Sequence, residues 1–249
     1  MHGLILAGGE GTRLAASGVA EPKALVPVGG TPQLVRLIRT FARLGSDSVT
    51  VALRDDVPPE PARCELARLP LPSTLLRCHT PSSLHTLAVG LEAVPPGPVF
   101  CSMVDTVMPW ADWARAHDAA RRALDPDDHH RARCEMLDAI LVVTPHVDDE
   151  RPLHVGRDTE GRVREIGGAA SDPPCVSGGL YGFGPRARAR AAFARAAGMD
   201  RMRAFLDLLV RDGAAVGSVE IARIIDLDHR RDLDAANTWD AAAWQDSCE

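Results

Sequence analysis

Residues 6–14 read LAGGEGTRL, and residues 22–28 read PKALVPV. Three glycines, Gly8, Gly9 and Gly11, let backbone N–H groups close around an anion, because no Cβ holds a ligand away. Arg13 adds a planar, permanently charged fork for phosphate oxygens, and Lys23 a compact point charge. Lys23 is also the only lysine among the 28 lysines and arginines of a 249-residue chain. Such a set suits a triphosphate. Two familiar glycine loops do not match it. A Walker loop places its lysine directly after a glycine, whereas Gly11 is followed by Thr12. The dinucleotide fingerprint needs Gly or Ala where Leu14 stands, and an acidic strand end about 20 residues on, for which there is no clear candidate.

A phosphate cradle calls for carboxylates. Phosphoryl transfer is catalysed mainly by positioning and charge neutralisation. Mg2+ held by one or two carboxylates and by phosphate oxygens can supply that charge. Asp105 follows the apolar run VFCSMV (99–104), at the carboxyl end of a strand, where open α/β sheets bind ligands. Its bland alternative is a helix cap before Pro109. The segment RIIDLDHRRDLD (223–234) offers Asp226 and Asp228, which strand alternation would put on one face. Asp232 and Asp234 suit a helix N-terminus instead.

The elements that must carry these residues follow from apolar periodicity. Strands are expected over 4–6, 48–53, 74–79, 97–104 and 137–143, and helices over 32–45, 83–94 and 110–123, with a short one near 62–68. Thr31 and Pro32 read as N-cap and first helical residue, and Gly45 as the stop. Beyond 145 the texture changes. A hairpin spans 153–167 around TEG, a glycine-rich strand 176–184, and helices 186–197 and 200–212. Strands in GSVEI and ARIIDL and a closing helix with Trp239 and Trp244 complete the chain. The alternation of strand and helix in the first part predicts a mostly parallel sheet covered on both faces.

Composition limits the function classes. A net charge of -6 with no basic block, and 4% aromatic residues, argue against a dedicated nucleic-acid binder. Six scattered cysteines without a C-x-x-C pair read as free thiols in a reducing cytoplasm rather than a zinc site. His129 and His130 lie in the charged stretch DPDDHHRAR (125–133) and read as solvated. No secretion signal and no apolar run of about 20 residues is present, so the expectation is a cytoplasmic protein with no membrane partner.

LAGGEGTRL with PKALVPVGGTP closely resembles the signature of the nucleoside-triphosphate transferases, the sugar-1-phosphate nucleotidyltransferases in particular. The resemblance implies an α/β fold of glycosyltransferase-A type: a Rossmann-like, mostly parallel central sheet flanked by helices, with a small α+β addition on the acceptor side. It implies one domain over 1–249, with a nucleotide-binding half (1–145) and an acceptor-binding half (146–249). It also implies Mg2+-dependent transfer of a nucleoside monophosphate from an NTP to a phosphorylated small molecule, such as a sugar 1-phosphate, with release of pyrophosphate.

Residue by residue, the resemblance puts catalysis on Arg13, Lys23 and Asp105. Leu6, Ala7, Gly8, Gly9, Gly11 and Thr12 join Arg13 and Lys23 around the nucleotide. HTPSSLHTLAVGL (79–91) matches a loop and helix that read the base, through Thr80, Ser82, Ser83 and Thr86, with His85 where the family has glycine. Ser82 or Ser83 is also a helix cap. Asp105 matches the family's metal aspartate. Alignment on Asp232-Leu233 puts Asp228 at the second, with Asp226 as the alternative and His229-Arg230 replacing Thr-Pro. VSGGLYGF (176–183) resembles the acceptor strand, contributing Ser177 in place of Asn, Gly178, Gly179 and Tyr181, with Glu165 from VREIGG. The family wants a second lysine here and this chain has none, which leaves Arg157, Arg164 or Arg186 to replace it. Two rivals stay open: cytidylyl or guanylyl transfer to a non-sugar phosphate, phosphonate or cofactor, and a nucleotide-binding regulatory protein without turnover. The base, the acceptor and the oligomeric state are left open.

Overall fold

The structure, a computed structural model, describes residues 1–124, 136–147, 150–170 and 174–239. The charged stretch 125–133 with His129 and His130, as well as Cys134, Trp244 and Cys248, falls outside the described residues.

The first half alternates strand and helix as its periodicity predicts. β1 (His2–Ala7) leads through the glycine loop into α1 (Thr12–Ala16), then to a tight hairpin of β2 (Pro27–Val28) and β3 (Thr31–Pro32). Next come α2 (Gln33–Arg43), β4 (Val49–Arg54), α3 (Glu60–Leu66), β5 (Ser73–Cys78) and α4 (Ser83–Ala93). β6 (Val99–Met103), β7 (Thr106–Val107), α5 (Trp110–Leu124) and β8 (Ala139–Thr144) follow. The second half holds the hairpin β9 (Val155–Arg157) and β10 (Val163–Ile166), then β11 (Val176–Phe183), α6 (Pro185–Ala196) and α7 (Met202–Arg211). β12 (Val216–Glu220), β13 (Ile225–Asp226) and α8 (Arg230–Asn237) complete it.

Seven strands form one sheet in the order β12-β8-β11-β6-β1-β4-β5. All neighbouring pairs are parallel except those of β11, which runs antiparallel to both β6 and β8. The sheet therefore has the expected Rossmann-like, mostly parallel character, and its strands come from both halves of the chain. Alternation along β1 sends Leu4 and Leu6 into a layer with α4, α6 and α7, and Ile5 and Ala7 into a layer with α2 and α5. Burial on both faces explains why β8 is buried along its whole length. A third, smaller core of Leu14, Val19, Val26, Val28, Val107, Ile225, Leu227 and Leu233 lies among α1, β2, β7, β13 and α8. It roots the loops that carry the candidate charged residues.

Two expectations need correction. Thr31 and Pro32 do not open a helix; they pair with Val28 and Pro27 as a strand. Gly29 and Gly30 have φ of 57° and 77°, the positive pair that a two-residue hairpin requires, and this turn prevails over the capping signal. The last described helix ends at Asn237, so Trp239 lies beyond it.

Candidate active site

The glycine loop lies against the start of α4. A Cβ at Gly8 would sit 2.6 Å from Thr86 Oγ1 and 3.3 Å from Thr80 Oγ1, so only glycine permits this approach. Gly9 meets nothing within 4 Å. Gly11, at φ 65°, caps α1 in the left-handed region, and its missing side chain makes room for Lys23. Thr12 opens α1 on the exposed side, and Arg13 follows it.

Four charged side chains converge beside this loop. Lys23 begins a short 3-10 turn, Lys23–Leu25. Its Nζ donates to Asp105 Oδ2 at 2.8 Å and to Asp228 Oδ1 at 2.7 Å. Arg13 reaches the other oxygen of Asp228 at 2.6 Å. The side chains of Lys23, Asp105 and Asp228 are only 10%, 18% and 11% exposed, so water screens them weakly. Burial works against the charge on Lys23, but the attraction of Asp105 and Asp228 and their hydrogen bonds outweigh it and hold the ammonium above the ordinary lysine value.

The carboxylates meet because their loops are tied together. Asp105 lies in the turn between β6 and β7, and β7 pairs with β13, setting Thr106 opposite Asp226. The N–H of Leu227 donates to the Asp105 carbonyl at 3.1 Å. Asp232 Oδ2 accepts from the N–H groups of Asp228 at 3.0 Å and His229 at 2.6 Å, which holds the turn into α8. This is the helix-start role read for Asp232. Arg230 N donates to Ser17 Oγ at the end of α1, at 2.8 Å. Asp105 Oδ1 is buried without a hydrogen-bond partner. Asp105 and Asp228 thus form the donor pair able to hold a hard divalent cation. Among the described residues no group of three or more His, Cys, Asp or Glu is placed to do so.

A cleft of about 290 Å³ opens on the α4 side of the loop. Leu6, Gly8, Gly9, Thr80, Ser82, Ser83 and Thr86 all line it, together with Glu10, His79, Pro81 and Met103. Thr86 Oγ1 donates to the Ser82 carbonyl at 3.1 Å and lies 2.6 Å from Thr80 Oγ1. Ser82 caps α4, accepting from His85 N at 3.4 Å, and also meets His85 Nδ1 at 2.9 Å. The Ser83 hydroxyl is engaged elsewhere, accepting from Met202 N at the start of α7 at 3.3 Å. Ala7, Gly11 and Lys23 line a second cleft of about 180 Å³ across the loop, with Arg54, which pairs with Glu10 at 3.1 Å and Asp56 at 2.7 Å.

Comparison with known proteins shows the family of the chain. Residues 3–211 match the MobA-like NTP transferase domain. The chain belongs to that family. A 2-C-methyl-D-erythritol 4-phosphate cytidylyltransferase of Saccharopolyspora erythraea is 32% identical over 165 residues, which cover 64% of this chain and 66% of that enzyme, just under two thirds of its length. The fold is similar to that of the inositol-1-phosphate CTP transferase of T. maritima, with a TM-score of 0.71, 14% identity and 96% of each chain covered. It is also similar to a nucleoside-diphosphate-sugar pyrophosphorylase of Vibrio cholerae, with a TM-score of 0.71, 17% identity, and 94% of this chain and 99% of that one covered.

The residues that the sequence resemblance assigned to an acceptor are brought together less completely. Ser177 and Gly178 line a small pocket with Thr144, His146, Ile224 and Asp226. The pairing of β11 with β8 slips between Ser177 and Leu180, and Gly179 takes a φ of 71° there. A Cβ at Gly179 would meet Thr106 Oγ1 at 2.7 Å, so this bulge is packed shut. Tyr181 is 4% exposed and stacks on Phe183 with ring centroids 5.7 Å apart. Burial pushes its hydroxyl up from the usual tyrosine value. Its oxygen meets Ser177 Oγ at 3.2 Å, so the ring lies under the pocket rather than along it. Glu165 sits on the β9–β10 hairpin with its carboxylate folded against Gly168.

The candidate replacements for the missing lysine lie elsewhere. Arg157 is paired with Glu220 and Arg164 with Asp158. Arg186 is 89% exposed and lines a groove with Asp138, Arg190 and Phe193 on the α6–α7 surface. Asp226 and Asp228 do not share a face. β13 ends at Asp226, which lines the small pocket, while Asp228 turns to Lys23 and Arg13. His146, Met103 and Arg54 were not read from the sequence as site residues. Met103 had a signal: it ends β6 directly beside Leu6 of β1.

Proposed function

We propose that this protein is a Mg2+-dependent nucleotidyltransferase that moves a nucleoside monophosphate from an NTP to a phosphorylated small molecule and releases pyrophosphate. The observation that carries this reading is the convergence of Arg13, Lys23, Asp105 and Asp228 beside the glycine loop, where Gly11 makes room for Lys23. The base and ribose would occupy the cleft beside Thr80 and Thr86, with the triphosphate over Gly8–Arg13. An acceptor phosphate oxygen attacks the α-phosphorus in line, the bond from that phosphorus to the α,β-bridging oxygen breaks, and pyrophosphate leaves. The acceptor oxygen is already anionic, so the chain needs no general base. Arg13 and Lys23 neutralise the phosphates and orient the α-phosphorus, and the glycine loop gives the phosphates backbone N–H groups without steric cost. Asp105 and Asp228 would hold Mg2+, which when bound supplies divalent charge to the phosphate oxygens.

One domain spans both roles in this reading: residues 1–145 take the nucleotide, and 146–249 the acceptor around Ser177, Gly178 and Asp226. A sugar 1-phosphate is the first acceptor to test. A second reading, CMP transfer to a polyol phosphate, is favoured by the 32% identical cytidylyltransferase and by the missing acceptor-side lysine. No helix among the described residues is long and apolar enough to cross a membrane. With Cys64, Cys78, Cys101 and Cys175 all free, a cytoplasmic setting is part of the proposal. The test is pyrophosphate release over the four NTPs and a panel of sugar 1-phosphates and polyol phosphates. NTP binding without pyrophosphate from any acceptor would reject the enzyme in favour of a nucleotide-binding regulator.

A further inference from the structure

The four oxygens of Asp105 and Asp228 are unequally occupied. Lys23 takes one from each residue, at 2.8 and 2.7 Å, and Arg13 takes the second oxygen of Asp228. Asp105 Oδ1 remains, buried and without a partner. Two carboxylates facing one ammonium and one guanidinium make a cluster with no net charge to attract a free divalent ion. A metal that uses both acids must first displace the ammonium from between them. Lysine suits such a displaceable role, since its head is a compact point charge on a flexible stem, whereas a guanidinium grips carboxylates as a fixed fork.

We propose that Lys23 is a placeholder for the divalent cation: in the nucleotide-free protein its ammonium closes the metal position, and arriving phosphates draw it away. The inference rests on the metal-dependent reading above. Metal and triphosphate then bind cooperatively, and the coupling is reciprocal. The protein without nucleotide holds metal weakly although both acids are in place.

The experiment titrates Mn2+ alone, without nucleotide, into the full chain, with bound metal followed by electron paramagnetic resonance. Lys23→Gln is expected to bind Mn2+ at least tenfold more tightly than the wild type, and Lys23→Gln/Asp105→Asn to lose that gain. Unchanged or weaker Mn2+ binding in Lys23→Gln overturns the placeholder, as does a gain that survives Asp105→Asn. Should Lys23→Gln be unstable, Lys23→Met is read by melting temperature. A larger Mn2+-induced rise than in the wild type supports the proposal, and an equal or smaller one overturns it. Pyrophosphate release by the wild type is scored separately. Its absence alongside a Mn2+ gain rejects the transferase reading and keeps the placeholder; its presence without a gain does the reverse.

Discussion

Around the glycine-loop cleft, which we assign to the nucleotide, the polar groups come from two short stretches, Gly8–Glu10 and Thr80–Thr86, each in a loop that runs into a helix. Around the small pocket, which we assign to the acceptor, they come from three distant ones, Thr144–His146, Ser177–Gly178 and Asp226. The first arrangement is locked by the tight approach of Thr86 to Gly8 and by the cap that Ser82 places on the helix start. The second depends on the bulge in β11 and on the pairing of β7 with β13. A side closed by such tight packing resists change. A side assembled from remote loops can alter its ligand without disturbing the triphosphate cradle.

Four measurements test this contrast. The largest effect belongs to the charges that join the two sides. Lys23→Ala is expected to lower kcat for pyrophosphate release by about 10²–10³-fold, with little recovery in Lys23→Arg; nearly full turnover in either would remove Lys23 from the chemistry.

The second concerns whether the halves stand or fall together. His117 on α5 is 5% exposed and packs edge-on against Phe100, and burial pushes its imidazole down to about 4. The folded value lies below the unfolded one of about 6.5. The stability from its neutral form is therefore complete above pH 6.5 and is lost as pH falls toward 4, by about 3 kcal/mol at most. Denaturant melts across this window should show that loss, and His117→Gln should flatten it. If the halves are one cooperative unit, tryptophan fluorescence and far-UV dichroism will fall in a single transition.

Third, Gly8→Ala forces a Cβ onto Thr86 and is expected to cost about 1–3 kcal/mol, while Gly9→Ala, with open space around it, should stay within about 0.5 kcal/mol of wild type. Equal melting temperatures for the two variants would refute the locked-loop picture. The smallest effect is on the acceptor side. Ser177→Ala loses one hydroxyl contact, about 0.5–1.5 kcal/mol, and should raise the acceptor KM several-fold with the NTP KM unchanged. A shift in NTP KM instead would mean that the two sides are not separable.

The same contrast governs what could be read from the sequence. The glycine loop and Asp105 were legible because strand end and side-chain chemistry sit within a few residues of each other, and Lys23 because it stands in the distinctive run PKALVPV. The covered parallel sheet was legible from continuous apolar runs such as 99–104. The reversal of β11 was not, because a strand buried on both faces reads alike in either direction. Burial of Tyr181 was hidden for a related reason, since a tyrosine in a glycine-rich strand suits a pocket wall or a core equally. The second use of Ser83 needed α7, over a hundred residues away, and the divergence of Asp226 from Asp228 needed the point at which β13 stops.

The solitary lysine has a practical consequence for anyone who handles this protein. The other 27 of the 28 lysines and arginines are arginines. An acylating reagent therefore has no ordinary surface ε-amine to label, among residues that otherwise carry their positive charge on arginine. Modification of Lys23, read as a single mass increment, becomes a clock for how often its two salt bridges open. Phosphate ligands that draw the ammonium outward should change the rate of that clock, with no need to know the base or the acceptor.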